Sequence, residues 1–596
     1  MRLPPRVSVA FVAVSLSIGG AAHAAEVGTI QIRGLNEEMA ENVRSALSLV
    51  EAQGLEVSGR RMAYLVREAD DETREALEPF GYYSPTIEVE RSRNEGPVDV
   101  TIDVDPGAPV RVRGFNVAIE GEGGRDRYLA NDLEDFLPRP GDVFDHRLYE
   151  ASKTTISRRL AVRGYFDADF ASRRVEVTRA DEAADIDLSW TSGQRYDMGP
   201  LAFDQTPDPV VREELLQKLV YWDTGSYYHK GKLDRLRESL ARLDYFAAID
   251  IQPHPEEAQG NDVPITVTLT PAKRDVYTAG LSYGTDSGAG VRLGWDRRYV
   301  NDRGHKALAQ LDYAERRKTL TLQYRIPAFA WLDGWYTISA QAADEQTDFM
   351  DSRRIELVGS RSGEINDHLT AVASMHALRE RWAYVADNGD DPDALPDYRY
   401  ATFTYPSLRA EYIDADDLVF PRDGLAGTLM LRGGVEGVGS DASFAQTRAT
   451  ARWYRGLGER DRLIVRGELG HTFSGDVIDL PPSLRFFAGG DRSIRGYGWR
   501  EVGPRVEGAD GRLYALGAKN VATASVEYEH YFNDSWGAAL FVDSGSAFND
   551  SPDWRTGVGV GARWLSPVGP VRVDVAHGLD NPDSSFELYL SVGADL

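Results

Sequence analysis

The run Arg485-Phe-Phe-Ala-Gly-Gly-Asp-Arg-Ser-Ile494-Arg495-Gly496-Tyr497-Gly-Trp499 sets three arginines in a stretch too rich in glycine for an ordinary strand. A guanidinium carried inward on such a loop is costly unless a carboxylate meets it, because a desolvated charge needs a paired, hydrogen-bonded partner. Phe541-Val542-Asp543-Ser544-Gly545 supplies one. At a two-residue period Phe541, Asp543 and Gly545 share one face and Val542 takes the other. The expected chemistry is a fork from Arg495 to Asp543; an exposed loop with no fixed partner is the competing reading. The same short pattern recurs at Val112 to Phe115 and Val162 to Tyr165, where a strand and a helix end explain it.

Other chemistry is sparse. There is no His-Glu-x-x-His, no Gly-x-Ser-x-Gly and no phosphate-cradling Gly-x-x-x-x-Gly-Lys. Gly557-Val-Gly-Val-Gly561 alternates like a strand and no helix follows it, so it is not a dinucleotide loop. The 10 histidines lack metal-ligand spacing, and cysteine is absent, which removes disulfides, thiolate metal sites and Cys nucleophiles together. We expect no enzyme activity, metal or cofactor, although a carboxylate pair dispersed among 94 acidic residues would leave no mark. A net charge of -27 argues against nucleic acid as a partner.

The elements that must position Arg495 and Asp543 are strands. Ala307, Ala309, Leu311 and Tyr313 share one face, and after the turn Glu315 to Lys318 so do Leu320, Leu322, Tyr324 and Ile326. A soluble sandwich shows the same alternation. The chain's end favours a membrane barrel: Phe586, Leu588, Leu590, Val592, Ala594 and Leu596 alternate with Glu587, Tyr589, Ser591, Gly593 and Asp595 over the length of a crossing strand. At roughly 20 residues per strand and turn, the second half holds about 16 antiparallel strands. A first strand near Tyr277 to Thr285 carries Gly280 and Gly284 and must close against the last. That seam (Tyr277, Gly280, Gly284, Phe586, Ser591 and Leu596) is the expected lateral gate, weak because glycine packs nothing across it.

Before the barrel, Arg2 and Arg6, an apolar run and Ala22-His23-Ala24 read as an export signal over 1–24. One pattern then repeats three times at a period of about 80 residues, a strand, helices ending at an aromatic, and two alternating strands. The helix ends are Gly81-Tyr82, Gly164-Tyr165 and Asp244-Tyr245, and the apolar helix faces include Leu65 and Phe80, then Leu148, Ile156 and Leu160, then Leu233 to Leu243. These set α+β modules at 25–107, 108–193 and 194–274, ahead of a barrel at 275–596.

With Phe420-Pro421-Arg422-Asp423-Gly424 and Gly569-Pro570-Val-Arg572-Val-Asp574 added to the motifs above, the mature chain resembles the BamA/TamA superfamily of outer-membrane assembly and secretion barrels. The modules look like POTRA domains. The resemblance implies that the Arg495 loop folds into the lumen against the Asp543 strand and that clients are other outer-membrane proteins, autotransporters included, inserted in contact with outer-membrane lipid. Three modules favour the TamA branch, since BamA-type barrels carry five and two-partner secretion barrels two; that branch implies a TamB-like partner anchored in the inner membrane. A secretion pore passing an unfolded exoprotein is the alternative. Leu596 departs from the aromatic on which many such barrels end.

Overall fold

The computed structural model describes residues 24–92, 96–284, 288–329, 334–346, 350–384, 398–507, 513–566, 569–580 and 586–592. All but the last residue of the expected signal, and Leu596, lie outside them. The chain divides into two compact units, one of residues 1–201 with 222–235 and 252–266, the other of 202–221, 236–251 and 267–596.

The first module lays α1 (Glu37–Ala46), α2 (Ser48–Glu51) and α3 (Gly59–Leu77) on a sheet of β1 (Ala24–Arg33), β2 (Glu56–Ser58), β3 (Thr86–Arg91) and β4 (Val98–Asp105) in the order β2-β1-β4-β3. Ser58 caps α3 by accepting from Arg61 N, and Leu65, Ala69 and Leu77 bury one stripe of it against Val100 and Ile102. In the second module β5 (Arg111–Glu120), β6 (Asp169–Thr178) and β7 (Ala183–Thr191) form the sheet β5-β7-β6 under α4 (Arg127–Glu134) and α5 (His146–Val162). Here the expected helix face is wrong at one position. Leu148 is 43% exposed and Tyr149 is buried; counted back from Ile156, seven residues return to the same stripe whereas eight overshoot it. The third sheet orders β8 (Asp197–Gln205), β9 (Phe246–Pro253) and β10 (Asp262–Pro271) as β8-β10-β9, and α6 (Glu213–Gln217) and α7 (Lys230–Arg242) precede β9.

The expected glycine cap forms at Gly81, and Gly81 and Gly164 also serve as joints. Gly81 holds φ +86° and its carbonyl accepts from Val110 N at 2.8 Å at the entry to the second module; a Cβ there would stand 2.8 Å from Phe144 O. Gly164 repeats the arrangement, accepting from Tyr196 N at 2.9 Å. Asp244, also left-handed at φ +56°, instead pairs with Arg298 at 2.8 Å beside the barrel turn at 298–305, where Tyr245 OH donates to Gly304 O.

The sixteen strands of the second half, each antiparallel to its neighbours, are β11 (Asp275–Gly284), β12 (Gly288–Arg297), β13 (Lys306–Ala314), β14 (Arg317–Pro327), β15 (Trp335–Gln346), β16 (Met350–Glu364), β17 (Leu369–Tyr384), β18 (Arg399–Ala415), β19 (Gly424–Gly434), β20 (Phe444–Leu457), β21 (Asp461–Ser474) and, after a long excursion, β24 (Asn520–Tyr531), β25 (Trp536–Phe548), β26 (Arg555–Ser566), β27 (Gly569–Gly578) and β28 (Glu587–Val592). The excursion holds a small hairpin, β22 (Arg505–Glu507) with β23 (Leu513–Ala515). Leu281, Ile338, Ile355 and Leu469 are each more than 60% exposed on the outer face, an apolar band that only lipid would cover. No helix among the described residues is long and apolar enough to cross a membrane.

Candidate functional site

Instead of leaving the barrel, the chain after β21 turns inward. Ile494, Arg495 and Tyr497 are 0%, 3% and 2% exposed. Arg495 is held by three carboxylates. Its Nε and Nη2 donate to the two oxygens of Asp543 at 2.7 and 3.0 Å, and Nη1 donates to Glu527 and Asp574, both at 2.8 Å. Its backbone N–H also donates to Asp543 at 3.0 Å, and the guanidinium lies 3.3 Å from the centroid of the Phe541 ring. Phe541, Asp543 and Gly545 come to one face because β25 alternates, and that face points inward.

The cluster extends beyond the pair that the motifs suggest. Arg563 bridges Glu527, Glu529 and Asp574 at 2.5 to 2.6 Å. Arg462 takes the other oxygen of Glu529 at 2.5 Å, donates to Pro421 O and lies 3.8 Å from the centroid of Phe420, so the Phe420-Pro421 turn is tied to the same network. Three buried guanidiniums thus meet four buried carboxylates, with Arg466 3.9 Å from Asp543 as a fourth cation. That near-neutrality makes the burial tolerable, since the penalty for removing ions from water is repaid only by complete pairing.

Room for the loop comes from glycines that sequence reasoning treated only as strand residues. On β26 a Cβ at Gly557 would lie 1.8 Å from Arg495 O, one at Gly559 2.3 Å from the Phe541 ring, and one at Gly561 2.0 Å from an oxygen of Asp574. Gly496, at φ +93°, packs against the backbone of His577 and Gly578. The bare inner stripe of β26 is therefore the seat of the loop. A second unforeseen residue is Tyr589 of the terminal strand: its hydroxyl accepts from Gly496 N at 3.1 Å and donates to Tyr497 O at 2.8 Å. Loop and last strand are thereby one hydrogen-bonded assembly.

The seam residues take two positions. Tyr277 and Phe586 are 76% and 74% exposed, while a Cβ at Gly280 would meet no atom within 4 Å. Gly284 pairs with Gly288 across the first hairpin. Ladders run unbroken from β11 to β28, but among the described residues none joins β28 back to β11.

Residues 300–595 match the Omp85 superfamily domain, residues 29–106 the TamA POTRA domain 1, and residues 116–190 a POTRA domain described as a surface antigen variable number repeat. The barrel is an Omp85 superfamily domain. The outer membrane protein assembly factor BamA of Nitratidesulfovibrio vulgaris is 23% identical over 70% of this chain and 53% of its own length, and that of Neisseria meningitidis serogroup B is 22% identical over 85% and 70%. This chain thus spans about half the length of the first of these relatives. The crystal structure of BamA from Haemophilus ducreyi lacking POTRA domains 1–3 superposes with a TM-score of 0.65 at 16% identity, covering 81% of this chain and 99% of that one.

An Omp85 barrel with POTRA modules resides in the outer membrane with those modules in the periplasm. Strand β11 therefore starts at the periplasmic rim, and the Arg495 loop enters the lumen from outside. Beneath and beside it the Omp85 lumen keeps a cavity of about 650 Å³ bordered by Arg448, Arg452, Arg466 and Arg500 with Glu411 and Glu468. A smaller one of about 260 Å³ reaches from Arg495, Glu527 and Asp574 to Tyr589 and Ser591 of β28. The arrangement offers buried charge pairing and, at the seam, backbone edges that can pair.

Proposed function

We propose that this chain is an assembly factor of the TamA type, which takes unfolded outer-membrane β-barrel proteins, autotransporters among them, and lets their strands pair at the seam between β11 and β28. The observation that carries the reading is the open end of the ladder. Strand β11 has ten described residues and β28 six; the two strands lie side by side, yet among the described residues no hydrogen-bonded register joins them. In lipid every backbone N–H and C=O must be paired, so such an edge is a template for an incoming strand. Tyr589 makes the seam responsive to the lumen: releasing the Arg495 loop would remove two hydrogen bonds that hold β28 in place.

Two features support the TamA branch in particular, the match of residues 29–106 to a TamA POTRA domain and the three module sheets preceding the barrel. On this reading the modules receive a TamB-like partner from the inner membrane. Photocrosslinking residues placed at Gly280 and at Asp491, which borders the larger cavity, test the mode of action. Crosslinks from Gly280 to β-barrel precursors are expected. Crosslinks from Asp491 to a long soluble exoprotein, with none at Gly280, would instead make the barrel a secretion pore.

A further inference from the structure

The outer wall of the barrel carries a charged row for which strand exchange has no use. The registers of β13 to β18 set Tyr313, Lys318, Asp344, Arg353, Arg381 and Tyr400 side by side, each directly opposite the next. Two residues further down each strand, on the same outward face, the row reads Leu311, Leu320, Ala342, Ile355, Arg379 and Thr402. A groove of about 500 Å³ runs along both rows. Its polar line lies near the upper ends of β13, β15 and β17, at the external rim, and its two ends are tyrosines 56% and 59% exposed, the residue type that marks the membrane interface.

The charges are unbalanced among themselves. Arg353 and Arg381 occupy directly opposed positions, where like charges repel. Asp344 meets Arg353 at 3.2 Å, and Asp351, one step further out, accepts from Tyr398 OH. The Arg381 guanidinium rests 4.5 Å from the Tyr398 ring centroid and the Lys318 ammonium 5.5 Å from that of Tyr313. Lys318, Arg353, Arg379 and Arg381 therefore face two carboxylates, with Leu311, Leu320 and Ile355 immediately membraneward.

We propose that this row binds the phosphates of a phosphorylated saccharolipid of the outer leaflet, with its acyl chains lying over the apolar row. A headgroup phosphate set between Arg353 and Arg381 turns their repulsion into two charge-assisted contacts. The apolar shelf below distinguishes a lipid from a soluble anion, because only the lipid gains by covering it.

Native mass spectrometry of the full chain in detergent, titrated with hexa-acylated lipid A, tests the site. The unaltered protein is expected to retain the lipid, and R353Q with R381Q to weaken retention by at least about tenfold. R353K with R381K should keep most of it, and R361Q, whose guanidinium lies over Tyr336 at the opposite rim, all of it. Heat-modifiable gel mobility confirms that each variant is a folded barrel. The site is overturned if the unaltered protein retains no lipid A, if dephosphorylated lipid A binds equally well, if the folded R353Q and R381Q variant binds undiminished, or if millimolar inorganic phosphate displaces the lipid completely.

Discussion

Replacing Arg495 by alanine should unseat the luminal loop without unfolding the barrel. The substitution removes four side-chain hydrogen bonds, two of them to Asp543, which is 0% exposed and, among the described residues, keeps Arg466 at 3.9 Å and a backbone N–H. Glu527 and Asp574 retain Arg563 and suffer less. Breaking a buried ion pair from one side costs about 3–5 kcal/mol, which is two to more than three decades in an opening equilibrium at roughly 1.4 kcal/mol per decade. The assay is hydrogen exchange of the Ile494 to Tyr497 amides in detergent-solubilised protein. Protection there should fall by about a hundredfold or more while β16 and β17 remain protected. Protection within tenfold of the unaltered protein would refute the argument, because Arg495 would then not be what seats the loop. Combining Arg495→Asp with Asp543→Arg should bring no rescue, since the new carboxylate at position 495 would stand against Glu527 and Asp574.

Other outcomes follow from the same geometry. Gly557→Ala, whose Cβ meets Arg495 O, a backbone atom, should cost about 1–3 kcal/mol by overpacking and lower the temperature at which gel mobility shifts. Tyr589→Phe loses two buried hydrogen bonds, about 1–3 kcal/mol, and should raise exchange in Glu587 to Val592 while β26 is unaffected. The joint between the first two modules should loosen on acidification. His146 Nε2 lies 2.5 Å from Tyr83 OH, and burial, opposed by the weaker pull of Glu78, Asp145 and Glu150, depresses the imidazole below its ordinary 6.5. The unfolded joint thus binds the proton more readily, so its stability is full above about pH 6.5 and is lost as pH falls below that toward the folded value. Thermal melts of the isolated first two modules, taken from pH 7.5 to 5, should show this loss, and His146→Gln should flatten it.

Much of this architecture could be read from period alone. Alternation as regular as that of β13 and β14 fixes which side faces outward, and helix stripes ending at Gly81 and Gly164 define the modules. The motifs also pointed to Asp543 as an acceptor for Arg495. Glu527, Glu529, Arg462 and Arg563 escaped because each is one ordinary inward polar residue of an alternating strand; only the strand order, in which β21, β24, β25, β26 and β27 are successive neighbours, and their registers bring them to a single point. Asp574 was visible as part of a motif but had no assignable partner. Three glycines at a two-residue period on β26 were a usable signal of something packed against that face, yet a strand was explanation enough without knowing that Arg495 O needs the space. Tyr589 was placed correctly within an alternating strand, while its hydrogen bonds depend on the loop path. The external row of Lys318, Arg353 and Arg381 is scattered over 64 sequence positions and appears only once the registers are known.

The claim that strand exchange at the seam is the working step is tested most directly by closing it. The chain contains no cysteine, so Gly280→Cys with Ser591→Cys introduces a single pair, across β11 and β28. Assembly of an autotransporter barrel is then followed in cells or proteoliposomes under oxidising and reducing conditions. The account predicts that the oxidised pair halts client assembly, that reduction restores it, and that neither single variant responds. Client assembly that proceeds undiminished with the two strands covalently joined would contradict it.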